Sequence, residues 1–123
     1  MKKLISTVLL ATSLLATGAY AHGEKPRHGG VMSEAKDLNF ELVAEGSNAA
    51  LYVLDHGAGV PTASASGKLL VLSGGKKAEV TMVPAGENKL VSSSEIVLGA
   101  GAKAIATIDL GDKRPISVRF SIK

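Results

Sequence analysis

The closing run Pro115-Ile116-Ser117-Val118-Arg119-Phe120-Ser121-Ile122 decides the fold class. Ile116, Val118, Phe120 and Ile122 alternate with Ser117, Arg119, Ser121 and Lys123. A period of two sends one set of side chains to a core and the other to water, which is a half-buried strand. Working back toward the amino terminus, the same pattern recurs. Gly111-Asp112-Lys113-Arg114 punctuates it, and Lys103–Leu110 is the preceding strand. Lys89–Ser92 and Glu95–Leu98 are shorter candidates, and Ala78–Val83 and Gly67–Ser73 flank a Gly74-Gly75 hairpin turn. Ala49–Leu54 runs into Asp55-His56-Gly57, and Leu38, Phe40 and Leu42 alternate with Asn39, Glu41 and Val43. Short strands at this spacing, with glycine-rich turns and no helical stripe, predict an all-β fold. The expected form is a small antiparallel β-sandwich of about seven strands, immunoglobulin-like but without the Cys-Trp-Cys core.

Ahead of the strands lie two segments of different character. Residues 1–21 read as a cleaved secretory signal peptide. Lys2 and Lys3 precede the apolar run Leu4–Ala16, and Ala19-Tyr20-Ala21 offers small residues at both recognition positions. The apolar run is too short to span the bilayer, so no stable membrane insertion is expected once it is cleaved. Residues 22–37, containing Pro26, Gly29 and Gly30, read as an irregular arm, and residues 38–123 as the sandwich domain.

Composition narrows the function. The chain has 123 residues and no cysteine, which excludes disulfides, thiolate metal sites and thiol catalysis. Its net charge of +3 includes Lys2 and Lys3, so cleavage would leave +1. No concentrated basic face remains for nucleic acid. No G-x-S-x-G elbow and no H-E-x-x-H pair is present, so an enzyme is not expected.

Chemistry then falls to the three histidines, His22, His28 and His56. His22 becomes the amino-terminal residue after cleavage at Ala21, where amine and imidazole together can chelate Cu(II). His28 opens His28-Gly29-Gly30-Val31-Met32-Ser33-Glu34, and His56 follows Asp55 at a strand end. Imidazole binds copper and zinc at neutral pH, and Asp55 can orient the His56 ring. Met32 is a soft candidate for Cu(I), and Glu34, Asp37 and Glu41 are candidate oxygen ligands. Solvated charge and ordinary turn chemistry are the simpler explanations of each.

Several of these stretches occur together in a known setting. His28-Gly29-Gly30-Val31 with Asp37, Phe40-Glu41-Leu42-Val43, Leu51-Tyr52-Val53, Asp55-His56-Gly57 and Pro61 form its first half. Gly67-Lys68-Leu69, Val83-Pro84-Ala85-Gly86, Asn88-Lys89-Leu90 and Val118-Arg119-Phe120 form its second. This pattern resembles the small amino-terminal module of heavy-metal efflux periplasmic adaptors of the cobalt–zinc–cadmium and copper–silver type. The resemblance covers about residues 28–122. It implies a periplasmic protein of a Gram-negative bacterium, exported by the Sec route and linked to metal resistance or homeostasis. His28 and His56 fall on the matching positions, and His22 lies outside them. The chain lacks the adaptor's coiled-coil hairpin, lipoyl-like domain and barrel, so bridging a pump to an outer-membrane channel is not expected of it.

The expected function is therefore a soluble accessory protein that takes a copper or zinc ion through His28, His56 and His22, with Asp55 as orienting partner. The ion would be buffered or passed to a heavy-metal efflux adaptor or pump. The alternative is a metal-free interaction module that docks to an adaptor or another envelope protein.

Overall fold

The computed structural model describes residues 25–123. The expected signal peptide, the cleavage site and His22 lie outside the described residues. Nine strands follow in chain order: β1 Val31–Ala35, β2 Leu38–Glu45, β3 Asn48–Asp55, β4 Ala58–Gly59, β5 Ser66–Ser73, β6 Lys76–Pro84, β7 Lys89–Ser92, β8 Lys103–Asp109 and β9 Ile116–Ser121. Every pairing is antiparallel, and the described residues contain no helix. The class is all-β, as the alternation requires.

Hydrogen bonds run along the path β1-β2-β3-β7-β6-β5-β8-β9, with the two-residue β4 attached to β3. The sheet rolls until β1 and β9 approach each other, giving a nearly closed, barrel-like sandwich. Two connections cross its ends. Pro61–Ala65 covers the end that carries the β3–β4 turn, where the buried Thr62 hydroxyl shares its one hydrogen between the Glu87 carbonyl (3.0 Å) and the Lys89 carbonyl (2.9 Å). The segment from Ser93 to Ala102 crosses the other end, beside the β2–β3 turn.

The inward positions are those that the alternation selects. Phe40 and Leu42 on β2, Leu51 and Val53 on β3, Leu69 and Val71 on β5, and Met82 on β6 join Ile108, Val118 and Phe120 in one core. Small residues line the tightest part. Ala104 sits opposite Phe120 and Val71, and Ala106 sits opposite Val118 and Leu69. Alanines on β8 leave room for the larger side chains on both neighbours in the curved interior.

Two expectations are corrected. Val31–Ala35, read as part of an irregular arm, pairs with β2 from Val31↔Leu42 to Ala35↔Leu38. Its turn is made by Lys36 and Asp37, with φ of 53° and 64°, a conformation usually signalled by glycine or asparagine. Those residues hid the hairpin. Glu95–Leu98, read as a strand, joins no ladder. The Ile96 N–H instead donates to the Ser47 carbonyl at 2.9 Å, while its side chain enters the core at 6% exposure and Val97 points out at 78%. Its alternation is real, but it serves an end plug.

That contrast is testable. Ile96→Ala should cost about 2–5 kcal/mol, since it removes a buried branched side chain at a site that cannot fully collapse. Val97→Ala, one residue on, should stay within about 0.5 kcal/mol. Denaturant unfolding of both variants checks it; similar losses from the two would refute the plug.

Candidate functional site

The centre of the site is a carboxylate in an unusual position. Phe40 and Leu42 point into the core, so Glu41 between them belongs to the outer face of β2, which ordinarily meets water. Its side chain is nevertheless completely buried. The cover is the arm, which folds back over the sheet. Glu41 Oε1 accepts the Arg27 backbone N–H at 3.0 Å, and Oε2 accepts the backbone N–H groups of His28 and Gly30, both at 2.8 Å. The His28 ring nitrogen Nδ1 completes the set at 3.1 Å from Oε1. A carboxylate offers about four acceptor positions, and here the arm fills four.

The two glycines make this seat possible. A Cβ on Gly30 would lie 2.2 Å from the Leu42 carbonyl oxygen and 2.8 Å from a Val43 methyl, and Gly29 has φ of +76°. A side chain at either position would lift the arm away from Glu41 or strain it. His28-Gly29-Gly30 is therefore a backbone requirement before it is a ligand motif.

Burial pushes the Glu41 pKa up, but the hydrogen bonds from Arg27, Gly30 and His28 outweigh it and hold the carboxyl below the usual range. An ionised carboxylate only accepts, so the hydrogen between Glu41 and His28 belongs to Nδ1. The neutral imidazole then carries its lone pair on Nε2. Tyr52 fixes the ring plane. It is the register partner of Glu41 on β3, and its ring stacks on His28 with centroids 3.7 Å apart and planes 5° from parallel. The Tyr52 hydroxyl donates to Glu45 Oε2 at 3.0 Å, and Lys89, its partner on β7, bonds Glu45 Oε1 at 3.0 Å. The Lys89 bond holds the Glu45 pKa down, while burial and then the Glu45 bond raise that of Tyr52.

A second histidine sits in the β3–β4 turn. His56 and Gly57 are its two central residues, with φ of 52° and 87°. That is the left-handed pair that a two-residue hairpin needs, and His is among the few side-chain-bearing residues enriched there. His56 Nδ1 lies 2.7 Å from Asp55 Oδ1, and the ring is 89% exposed. The Arg27 guanidinium donates to the Gly57 carbonyl at 3.1 Å, tying the arm to this turn.

Of the residues selected from sequence, Asp55 and His56 are in contact, and His28 lies over Tyr52, four residues back along β3. Among the described residues, which do not include His22, no group of three or more His, Cys, Asp or Glu could hold a metal ion. The expectation that Glu41 supplies an oxygen ligand is overturned, because the arm takes its acceptor positions. Glu34 is exposed on β1, Asp37 is exposed in the β1–β2 turn, and Met32 is half-buried. Tyr52 was not selected as a site residue. A tyrosine alternating with Leu51 and Val53 signals an outer face, and nothing local says what will stack on it.

No protein-family model, curated protein or solved structure matches this chain.

The clasp should be acid-labile. A group whose pKa is depressed on folding stabilises the folded form above its unfolded pKa, and that contribution disappears as the pH falls through the folded value. Protection of the Arg27, His28 and Gly30 amides against hydrogen exchange should therefore hold at neutral pH and collapse below the ordinary glutamate range. Core amides such as that of Leu69 should keep theirs over the same steps. Gly30→Ala should open the arm at neutral pH. If the three amides lose protection only together with the core, the clasp is not a separate unit.

Proposed function

We propose that the chain is an exported, periplasmic accessory protein of heavy-metal efflux or homeostasis that binds a copper or zinc ion through arm and loop histidines. The observation that carries this is the state of the His28 ring. Its Nδ1 is held by a buried carboxylate, its face rests on Tyr52, and Nε2 is left as the donor. Histidines that bind metals almost always give their other ring N–H to a carboxylate, carbonyl or water. Asp55 and His56 repeat the arrangement in the adjacent turn. The absence of cysteine leaves imidazole as the chain's principal transition-metal donor, and imidazole suits copper and zinc. His22, six residues ahead of His28 in the chain, is the further donor in this proposal. The bound ion would be cargo, buffered or handed to an efflux adaptor or pump.

The second reading is a metal-free docking module. It is favoured by the fact that Glu41 and Tyr52 already account for the fixed position of His28 without an ion.

Calorimetric titration with Cu(II), Cu(I), Zn(II) and Co(II) separates the two. On the metal reading, His28→Ala should weaken binding at least tenfold and His56→Ala should also weaken it. Equal heats from the wild type and both variants would overturn the assignment and leave the docking module.

A further inference from the structure

We infer that Glu41 is a positioning residue for His28: it sets the imidazole tautomer that presents Nε2, and its own saturation makes the site one of nitrogen rather than oxygen donors. The choice of ligand rests on the metal-binding proposal, whereas the tautomer assignment rests on Glu41 being an acceptor, as the three backbone N–H groups that donate to it require.

The carboxylate cannot turn outward to meet an ion. Both of its oxygens are engaged by the backbone of Arg27, His28 and Gly30, and its side chain has no exposed surface. Freeing either oxygen would break hydrogen bonds to a charged acceptor, which are the stronger kind. Glu41 therefore acts through His28. It holds the hydrogen on Nδ1 and keeps the lone pair on Nε2. Tyr52 restrains the ring plane, and its hydroxyl is occupied with Glu45, so it adds no competing donor or acceptor at the ring edge.

A preference among ions follows. Ca2+ and Mg2+ need several oxygen ligands, and the one carboxylate touching His28 is closed to them. An ion that accepts imidazole, such as Zn2+ or Cu2+, meets a donor whose orientation is already fixed. The site should discriminate against hard cations for a structural reason.

The decisive measurement is long-range proton–nitrogen NMR of the His28 ring in the purified protein, recorded over a pH series so that the spectrum itself identifies the neutral form. The wild type should show the Nδ1–H form. Glu41→Gln should lose that preference, because an amide can donate as well as accept, and its Zn(II) affinity should fall about 10–100-fold. Tyr52→Phe keeps the stacking ring and should leave the tautomer unchanged. Ca(II) should give no heat with any of these proteins. A wild-type His28 in the Nε2–H form would overturn the inference outright. So would a Glu41→Gln protein that binds Zn(II) as tightly as the wild type while His28→Ala does not bind. If the wild type takes no Zn(II), the metal reading falls, and the ring spectrum still decides what Glu41 does to His28.

Discussion

A carboxylate withdrawn from water on the outside of a β-sheet is tolerable only when its lone pairs are filled, and everything particular to this protein's surface follows from how Glu41 meets that condition. Removing a charge from solvent is costly, and four N–H donors from one short stretch of chain offset the cost. That stretch is thereby fixed. The arm crosses β2, His28 comes down on Tyr52, and the Arg27 side chain reaches the turn that holds His56. One buried acceptor thus organises segments that the barrel itself leaves unrelated.

The barrel supplies a rigid platform for this arrangement. Its core needs few aromatics because the rolled sheet has a narrow interior, filled by branched side chains facing alanines. Outer positions on β2, β3 and β7 are held in register by the same ladders, so Glu41, Tyr52 and Lys89 stand side by side across three strands. Glu45 links the hydroxyl of Tyr52 to the ammonium of Lys89, which restrains the ring under His28. Rigid strands below and a clasped arm above give the imidazole one orientation. That fixed orientation is what the proposed metal-binding role would draw on.

The legible and the illegible parts of the chain divide along a physical line. Ile116, Val118 and Phe120 announced their strand because the period of two is a local property. The Gly74-Gly75 turn was equally plain, since its φ values of 56° and 81° favour glycine. Lys36-Asp37 makes the same kind of turn without that signal, and β1 was lost with it. Glu95–Leu98 carried alternation without a ladder, because pattern records which side chains are buried and not which backbone they pair with. His28 and His56 were selected for their chemistry and do lie at an arm and a turn. Their partners differ in kind: Asp55 is adjacent in sequence, while Glu41 is 13 residues from His28.

By itself the sequence determined the antiparallel all-β class, the inward side chains of most strands, the hairpin at Gly74-Gly75, and the short list of groups able to do chemistry. These rest on periodicity, on backbone sterics and on composition, all of which act over a few residues. Tertiary structure alone decided that the sheet rolls nearly shut, that Ile96 closes one end, and that an outward glutamate is buried under the arm. It also decided that His28 comes to rest on Tyr52 while His56 sits beside Asp55 in the β3–β4 turn. Those outcomes depend on which distant segments come to lie against one another, and no local pattern encodes a contact between Glu41 and a backbone N–H that arrives from the far side of a turn.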